Sequence, residues 1–278
     1  MTQNHVSRKS GYRDYSHTQG KVGKAAGRTS RDRARRELSQ NFLVDSDAVE
    51  SIVRVADPNG LVWEPGAGEG ALTIALAQRG AHVIAYEIDP LPAGRLAART
   101  RGHTGIRVVR GDFTRARPPR EPFAVVGNIP FSATAEIVNW CLTAPALTSA
   151  TLLTQREYAR KRTGDYGRWS LVTVATWPWF TWELRGRVDR TAFRPVPAVD
   201  AAILRIDRRP HPLVGDRETF RALVELGFSG VGGSIGASLR TRFPKANAAL
   251  AAAGIAPDTV VAYVHPDQWI ALHAAIFG

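Results

Sequence analysis

An amide, a proline and an aromatic ring follow one another in the sequence GNIPF at 127–131, directly after the apolar run FAVV. Asn128 and the backbone carbonyl of Ile129 offer two hydrogen-bond acceptors, and Pro130 fixes the backbone angle between them. Phe131 adds a flat ring on which a planar base can stack, which contributes about 1–3 kcal/mol in proteins that bind single strands. Two acceptors that hold the hydrogens of an exocyclic amine favour a pyramidal nitrogen, whose lone pair can attack an electrophile. The pattern therefore predicts a catalytic site for an amine-bearing base.

A glycine-rich turn follows another apolar run, in the sequence EPGAGEGALT at 64–73. Gly66 and Gly68 let a ligand approach the backbone, and Glu87, about 20 residues further on, can accept hydrogen bonds from ribose hydroxyls. The spacing G-x-G-x-G differs from the G-x-G-x-x-G of dinucleotide sites and favours a nucleoside without pyrophosphate. If that nucleoside is S-adenosyl-L-methionine, its methyl group is the required electrophile, and neither a metal nor a covalent nucleophile is needed. A turn that serves only the backbone is the alternative.

Asp112 in the sequence RGDF can accept a hydrogen bond from the exocyclic amine of the nucleoside's adenine. Phe113 or Ile88 would then lie against the faces of the adenine ring. Asp112 also suits the start of a helix, and a simple helix cap is the alternative role for its side chain.

The apolar runs between 61 and 206 alternate with amphipathic or alanine-rich segments, and they read LVWE, HVIAYE, RVVRGD, FAVVGN, ATLLT, FTWEL and AAILRI. Such alternation predicts an α/β fold with a doubly wound, mostly parallel, Rossmann-like sheet. A proline-containing loop, RTAFRPVPAVD, joins the last two runs, so we expect a hairpin that adds an antiparallel edge strand. Ligands of such sheets bind at the carboxyl ends of the strands, where Glu64, Glu87, Asp112 and Asn128 follow or end their runs.

Helical spacing follows the breaker cluster DRRPHP, in the segments RETFRALVELGF, KANAALAAAG and HPDQWIALHAAIFG. These segments predict a small all-helical domain after the sheet. We therefore expect a basic arm at 1–36, a sheet domain at 37–207 and an RNA-binding helical domain at 208–278.

Positive charge is concentrated at the start of the chain. Residues 1–36 hold ten Lys and Arg against two Asp, a balance of +8 that leaves +4 of the net charge of +12 for the remainder. The segment lacks hydrophobic periodicity and is rich in Gly, Ser and Thr, so it is predicted to be disordered. Because arginine-rich disordered segments commonly order on RNA, we interpret it as an arm that contacts phosphates. A solubility tail is the alternative.

Basic and aromatic side chains also alternate in QREYARKRTGDYGRWS, directly after the fifth apolar run. Since that run ends at the predicted catalytic edge, we interpret its cations as phosphate contacts that fix the register of an RNA rather than read its sequence. A solvated surface is the alternative. The predicted RNA-binding residues are Arg156, Arg160, Lys161, Arg162 and Arg168, together with Arg240, Arg242 and Lys245 in the helical domain.

The chain has a single cysteine, Cys141, and no apolar run as long as a bilayer span. One thiol excludes an internal disulfide and a multi-thiolate metal site within this chain, and the apolar segment AEIVNWCL predicts that Cys141 is buried. The polar, basic N-terminus lacks the apolar segment of a signal peptide. We expect a monomeric cytoplasmic protein without a membrane partner.

Six motifs occur in a fixed order: SQNFLVD at 39–45, EPGAGEGALT, YEID, GDF, GNIPF and AFRPVPAVD. Together they resemble the rRNA adenine N6-methyltransferases, and among these the Erm family, which methylates one adenine of 23S rRNA and confers resistance to macrolide, lincosamide and streptogramin B antibiotics. The resemblance runs from about residue 37 to the C-terminus and leaves the basic arm outside. It implies a class I methyltransferase sheet, S-adenosyl-L-methionine as cofactor, and structured 23S rRNA whose target adenine is flipped out of its stack.

The resemblance also implies roles for individual residues. The implied cofactor contacts are Asn41 and Leu43 at the methionine end, Gly66 along the cofactor, Glu87 at the ribose and Asp112 at the adenine. Asn128 would touch both the cofactor and the target amine, Phe131 would stack on the flipped adenine, and Phe193 would close the pocket. Many relatives carry Tyr at the position of Phe131, and Phe keeps the stacking while it loses a hydroxyl contact. A buried loop residue is the alternative for Phe193.

Three other functions are compatible with part of this pattern. The small-subunit (16S) rRNA adenine dimethyltransferases share most of the motifs, but NIPF in place of NLPY and the basic arm favour the 23S enzyme. A non-catalytic RNA-binding or transcription factor on the same fold has no need of an intact GNIPF, Glu87 and Asp112. A dehydrogenase is disfavoured by the glycine spacing. Whether one or two methyl groups are transferred is left open.

Deletion of residues 1–36 is expected to weaken binding to rRNA and to reduce the salt dependence of that binding. Each lost phosphate contact lowers the slope of log K against log salt by about 0.7–0.9. Methyl transfer itself should persist, because the arm lies outside the motifs. Filter binding of full-length and shortened protein over a range of salt concentrations measures the slope, and an unchanged slope would show that the arm is only a tail.

Overall fold

The computed structural model describes residues 41–278, so the predicted arm and the first residues of the SQNFLVD motif lie outside the described residues. Within that range the strands are β1 (Phe42–Leu43), β2 (Leu61–Pro65), β3 (His82–Glu87), β4 (Ile106–Arg110), β5 (Phe123–Asn128), β6 (Leu147–Gln155), β7 (Phe180–Val188), β8 (Phe193–Arg194) and β9 (Ala201–Arg208). The α-helices there are α1 (Ser46–Ala56), α2 (Ala71–Gln78), α3 (Pro90–Arg99), α4 (Thr134–Thr143), α5 (Arg156–Arg162), α6 (Leu171–Thr176), α7 (Arg217–Gly227), α8 (Ile235–Arg240), α9 (Ala246–Ala252) and α10 (Pro266–Phe277). Every apolar run that was predicted as a strand forms one.

Seven strands form one sheet in the order β4-β3-β2-β5-β6-β9-β7, and β1 pairs with β8 in a separate two-stranded ribbon. Strands β2 to β6 run parallel to one another, whereas β9 is antiparallel to both β6 and β7. The pair of β7 and β9 is the predicted antiparallel edge, with β9 on its inner side. The chain passes from β2 to β3 on one side and continues with β5 on the other side of β2. The winding therefore reverses between β2 and β5, and sheets of this type bind ligands beyond the carboxyl ends of the strands at that point.

Alternate side chains of the central strands face two hydrophobic clusters, one on each side of the sheet. On β2, Val62 joins the cluster beneath α1, α2 and α3, while Trp63 joins the larger cluster on the opposite face. The larger cluster includes Cys141 of α4, which is fully buried as predicted, and this burial raises the pKa of its thiol. Helices therefore cover both faces, as a doubly wound sheet requires.

Helix α1 is fixed at both ends. The side chain of Asp45, its N-cap, accepts a hydrogen bond from the Ala48 backbone N–H at 2.7 Å. At the other end the Arg205 guanidinium donates to the carbonyl oxygens of Val55 and Ala56, at 3.3 and 3.0 Å. The last carbonyls of a helix lack partners within it, so Arg205 both satisfies them and holds α1 on the sheet. The position of α1 in turn fixes the short segment that precedes Asp45.

The C-terminal helices pack on the larger cluster. Helices α7, α9 and α10 confirm the three predicted helical segments. Helix α8 was not predicted, because its six residues are too few to show a periodic pattern. Phe220 of α7 is fully buried, and its ring centroid lies 5.9 Å from that of Trp179 beside β7. The boundary predicted at 208 coincides with the end of β9, and a division into domains there stays a prediction. Across residues 41–278 no helix has both the length and the apolar character that spanning a bilayer requires.

Gly227→Ala is expected to destabilise the fold by about 1–3 kcal/mol, since a Cβ at the end of α7 would overlap the fully buried Trp269 ring of α10. Gly215→Ala is the matched control, because a Cβ there meets no atom within 4 Å. Urea denaturation of both variants and of the unchanged protein measures the free energy of unfolding. Equal values for the two variants would contradict the packing of α7 against α10.

Candidate active site

The glycine turn after β2 and the GNIPF turn after β5 are in contact. Gly66 has a φ of +71°, in the left-handed region that glycine tolerates. A Cβ at this position would lie 3.3 Å from the Pro130 Cδ atom and 3.4 Å from the Asn128 carbonyl oxygen. Any larger residue would therefore push the two turns apart. The segments that the sequence predicted to bind a nucleoside and a base lie side by side at the reversal point of the sheet.

Glu87 is hydrogen-bonded to the backbone of the glycine turn. It is the last residue of β3 and is buried, and its two carboxylate oxygens accept hydrogen bonds from the backbone N–H groups of Gly68 and Asp89, both at 2.8 Å. Burial raises the pKa of Glu87, while these two hydrogen bonds oppose the rise. Each carboxylate oxygen has two lone pairs, and the Ile88 backbone N–H also bonds to this carboxylate, so at least one lone pair remains for a ligand group such as a ribose hydroxyl.

The Asn128 side chain is oriented by its neighbour. Its Nδ2 atom donates a hydrogen bond to the Asn41 carbonyl oxygen at 2.9 Å. This hydrogen bond fixes the orientation of the amide and so the direction of its Oδ1 atom, the one acceptor of the Asn128 side chain. Asn41, predicted as a cofactor contact, is thus also the residue that positions Asn128. Leu43, two residues on, is buried and pairs with Phe193 across the ribbon of β1 and β8.

Phe42 is a site residue that the sequence analysis missed. A Cβ on Gly68 would lie 3.2 Å from the Phe42 Cδ1 atom, so the ring lies over the glycine turn. Its place inside the SQNFLVD motif was the available signal, but nothing in the sequence shows which side chain of an extended segment faces the turn.

Asp112 does form the cap that was its alternative role. Its Oδ1 atom accepts hydrogen bonds from the Thr114 backbone N–H at 3.0 Å and from the Thr114 hydroxyl at 2.7 Å. Its Oδ2 atom lies 3.6 Å from the Nε atom of Arg115. If Asp112 accepts a hydrogen bond from an adenine amine as predicted, the Oδ2 atom is the acceptor.

Phe113 is a core residue, and its contact with an adenine ring stays a prediction. Its side chain is 4% exposed, and its ring centroid lies 4.4 Å from that of Trp140 and 5.5 Å from that of Tyr86. The Phe113 ring therefore packs among these aromatic side chains, although the residue lies near the edge of the sheet. Ile88, the other predicted contact, is 38% exposed and directly follows Glu87, so it remains available to an adenine ring.

Phe193 is also fully buried, which agrees with its alternative role as a buried loop residue, and its role as a wall of the base pocket stays a prediction. It belongs to the cluster beneath α1, and Phe131 packs on the rim of the same cluster while part of its ring stays exposed. Phe193 therefore supports the site from behind, and Phe131 is the ring that can meet a base. Ile129 is buried in the opposite cluster, so its contribution to a site is limited to its backbone.

The order of these elements and the two adjoining turns agree with one protein family. The family model for ribosomal RNA adenine dimethylases matches residues 31–276. The chain belongs to the ribosomal RNA adenine dimethylase family. The match spans both the sheet and the C-terminal helices.

Individual relatives of this dimethylase-family chain agree with the assignment. An rRNA adenine N-6-methyltransferase of Streptomyces fradiae is 55% identical, over 86% of this chain and 77% of its own length. The mycinamicin-resistance protein MyrB of Micromonospora griseorubida is 41% identical, over 76% of this chain and 68% of its own length. The crystal structure of the 23S rRNA methyltransferase ErmE is 50% identical, with a TM-score of 0.80 over 84% of this chain and 99% of that chain. This chain therefore shares both sequence and fold with methyltransferases of its family.

Several arginines that were predicted as phosphate contacts interact with carboxylates or aromatic rings of the protein itself. Arg160 pairs with Asp165 and lies 3.4 Å from Glu157. The guanidinium of Arg162 lies 4.7 Å from the ring centroid of Tyr158. Internal partners of this kind oppose the transfer of an arginine to a phosphate, whereas Lys161 beside them is exposed.

Of the other predicted phosphate contacts, some have partners within the protein and some are exposed. Arg168 donates to the Tyr263 hydroxyl at 2.9 and 2.7 Å, and Arg240 donates to Asn247 at 3.2 Å. Arg242 lies 6.0 Å from the ring centroid of its neighbour Phe243, and Lys245 is exposed. Arg156, the first residue of α5, is half-buried. A role in RNA binding stays a prediction for the whole set.

Glu64, which the sequence placed at the ligand-binding edge of the sheet, is a buried acid near the end of β2. Its side chain is 1% exposed, and its Oε2 atom accepts a hydrogen bond from the Thr73 hydroxyl at 2.5 Å. Burial raises the pKa of Glu64 to about 8, the Thr73 hydrogen bond opposes the rise, and the nearby Glu87 carboxylate adds to it. A pKa of about 8 favours the protonated form of Glu64 at neutral pH.

Glu64→Gln is expected to become more stable relative to the unchanged protein as the pH rises. Between the ordinary pKa of 4.5 and the folded pKa of about 8, folded Glu64 keeps a proton that the unfolded chain has lost. The folded state therefore loses up to about 1.4 kcal/mol of stability per pH unit through this window, and glutamine removes that loss. Urea denaturation at about pH 5 and about pH 8 measures the difference. A difference that does not change between the two pH values would contradict the raised pKa.

Proposed function

We propose that this protein transfers a methyl group from S-adenosyl-L-methionine to the exocyclic N6 of an adenine in 23S rRNA. The contact between Gly66 and the Asn128–Pro130 turn carries the proposal, because it joins a nucleoside site and an amine site at one sheet edge. A methyl donor in the first site and a flipped adenine in the second would have their reacting atoms at that contact. Positioning of this kind can supply most of the lowering of the barrier.

The residues of the GNIPF turn act on the amine. The Oδ1 atom of Asn128 and the carbonyl oxygen of Ile129 accept the two N6 hydrogens, and the Asn41 carbonyl keeps the Asn128 amide in the required orientation. Phe131 stacks on the flipped base and offsets part of the few kcal/mol that unstacking costs. The lone pair of the nitrogen then points toward Gly66.

The cofactor site rests on the glycine turn and on Glu87. Gly66 allows the ligand to lie against the backbone, Glu87 accepts from the ribose hydroxyls, and Ile88 and the Oδ2 atom of Asp112, which is ion-paired with Arg115 at 3.6 Å, face the adenine. When bound, S-adenosyl-L-methionine supplies an electrophilic methyl group on a sulfonium centre. The position of the Glu87 carboxylate, which the Gly68 and Asp89 N–H groups fix beside the glycine turn, supports this placement of the ribose.

The proposed target in the large subunit gives the protein a role in resistance to macrolide, lincosamide and streptogramin B antibiotics. The 50% identity to a 23S rRNA methyltransferase and the 41% identity to a mycinamicin-resistance protein support this choice. Methylation of N6 removes a hydrogen-bond donor from the base and adds bulk at the position where such a drug would bind. The proposed enzyme is a cytoplasmic monomer with an RNA-binding helical domain after residue 207.

Asn128→Ala is expected to reduce methyl transfer by about 10²-fold or more, because one acceptor is lost and the amine is no longer oriented. Asn139→Ala is the matched control, since Asn139 is exposed on the surface of α4 and should leave transfer unchanged. Labelled cofactor and purified large- and small-subunit rRNA give the rate and the substrate, and mass spectrometry locates the methylated adenine. A thermal shift with S-adenosylhomocysteine reports the integrity of the cofactor site.

Three results would overturn parts of this proposal. Label in small-subunit rRNA alone would reassign the substrate to the 16S molecule. Transfer by the Asn128→Ala variant at the unchanged rate would remove the GNIPF turn from the chemistry, and absence of transfer by the unchanged protein, with macrolide resistance intact in a host, would favour a non-catalytic RNA-binding role.

A further inference from the structure

Tyr166, in the turn after α5, has an unusual combination of backbone conformation and exposure. Its φ is +57°, and among the described residues the only other non-glycine residue with a positive φ is Asp57. Aspartate tolerates this region at the end of a helix, as Asp57 does after α1, but a tyrosine does not favour it. The Tyr166 side chain is 77% exposed, the highest value among the large hydrophobic and aromatic side chains of residues 41–278. Burial of the ring therefore does not compensate for the conformation.

The turn that carries Tyr166 is held rigidly by its neighbours. Gly164 and Gly167 flank it with φ values of +75° and +68°. A Cβ on Gly164 would overlap the Trp169 ring, so the turn lies directly on that indole. The Trp169 backbone N–H in turn donates to the Ala262 carbonyl oxygen at 2.8 Å, which ties the turn to the C-terminal helices. The exposed ring is therefore presented from a fixed base.

Arg160 supports the ring from one side. Its guanidinium carbon lies 4.5 Å from the Tyr166 ring centroid, and its charge is balanced by Asp165 and Glu157. These partners leave Arg160 little capacity for a phosphate and make it a planar support for the ring. A second pair lies in the same region, where the guanidinium of Arg168 is 5.2 Å from the ring centroid of the half-exposed Tyr263.

The location of the turn relates it to the catalytic edge. Helix α5 starts directly after β6, and β6 is the neighbour of β5, which ends at Asn128. With seven residues, α5 is about 10 Å long, and Tyr166 follows one turn later. Tyr166 thus follows within eleven residues the end of the strand that pairs with β5, at Gln155. Lys161, in the last turn of α5, is exposed and adds positive charge to the same segment.

We propose that Tyr166 is a stacking platform for an unpaired base of the substrate RNA, close to the target adenine. The inference rests on the proposed function, because the ligand is a nucleotide of the same rRNA. A target that can be flipped out lies in a loop, bulge or end, where neighbouring bases are unpaired and can stack on aromatic rings. The rigid turn removes the ordering that a mobile ring would require on binding. Tyr166 thereby selects substrates with an unpaired base at one fixed distance from the target.

Tyr166→Gly separates this role from a structural one. Glycine favours the observed backbone conformation, so the variant should be as stable as the unchanged protein or more stable, while it lacks the ring. Affinity for a 23S rRNA fragment that the unchanged enzyme methylates should fall about 5- to 100-fold, with the slope of log K against log salt unchanged because no phosphate contact is lost. Tyr166→Phe should retain the affinity. Asp57→Gly is the matched control, because it relieves the same backbone conformation far from the turn and should leave RNA binding unchanged.

A fluorescent base locates the contact. 2-Aminopurine placed singly at each unpaired position around the methylated adenine should be quenched by the unchanged protein at one position beyond the target, and Tyr166→Gly should lose the quenching there while it keeps quenching at the target. Unchanged affinity and unchanged quenching in Tyr166→Gly would overturn the proposal. The proposal would also be overturned if Tyr166→Gly were less stable than the unchanged protein and Tyr166→Phe lost as much RNA affinity as Tyr166→Gly. A structural role of Tyr166 predicts that outcome. Failure of the unchanged protein to methylate any rRNA fragment would instead count against the proposed function.

Discussion

The close approach of two turns at the reversal point of the sheet is the constraint on which the rest of the structure depends. Strands β2 and β5 are hydrogen-bonded neighbours, so the backbones that leave their carboxyl ends must pass within van der Waals distance. The left-handed glycine at position 66 makes this passage possible, and the proline at 130 gives the opposing turn a fixed shape. Helix α1, clamped by Arg205, brings the Asn41 carbonyl to the same point and so orients Asn128.

Charge is distributed in two distinct ways around this contact. Beneath the glycine turn, two buried acids are controlled by desolvation and by hydrogen bonds, with Glu64 neutral and Glu87 held by backbone N–H groups. Around the exposed edge, arginines such as Arg160 and Arg168 are combined with carboxylates and aromatic rings of the protein itself. The arginines of this segment therefore build a shaped surface more than a free positive field. Lys161, by contrast, is exposed beside them.

Side-chain exposure accounts for the parts of the site that sequence reasoning could not reach. Phe113 and Phe193 stand in motifs beside site residues, yet both rings are buried, because each has a packed aromatic or aliphatic cluster within reach. Asp112 satisfies a helix start with one oxygen, and only the fold shows that the other remains. Phe42 faces the glycine turn for the opposite reason, since a two-residue strand has no periodicity that would reveal its orientation. Distances between segments far apart in the chain decided each of these cases.

The sequence by itself determined the succession of the seven sheet strands along the chain, the antiparallel edge, the glycine and GNIPF turns at strand ends, and the buried cysteine. These features follow from local properties: apolar runs, glycine and proline at turns, and the rule that parallel strands gather their carboxyl ends at one edge. Only the tertiary structure decided which aromatic rings are open, which arginines are already paired, and that Glu64 is buried beside Glu87. Burial and pairing depend on neighbours that the chain brings together from distant positions, and one residue's type does not specify them.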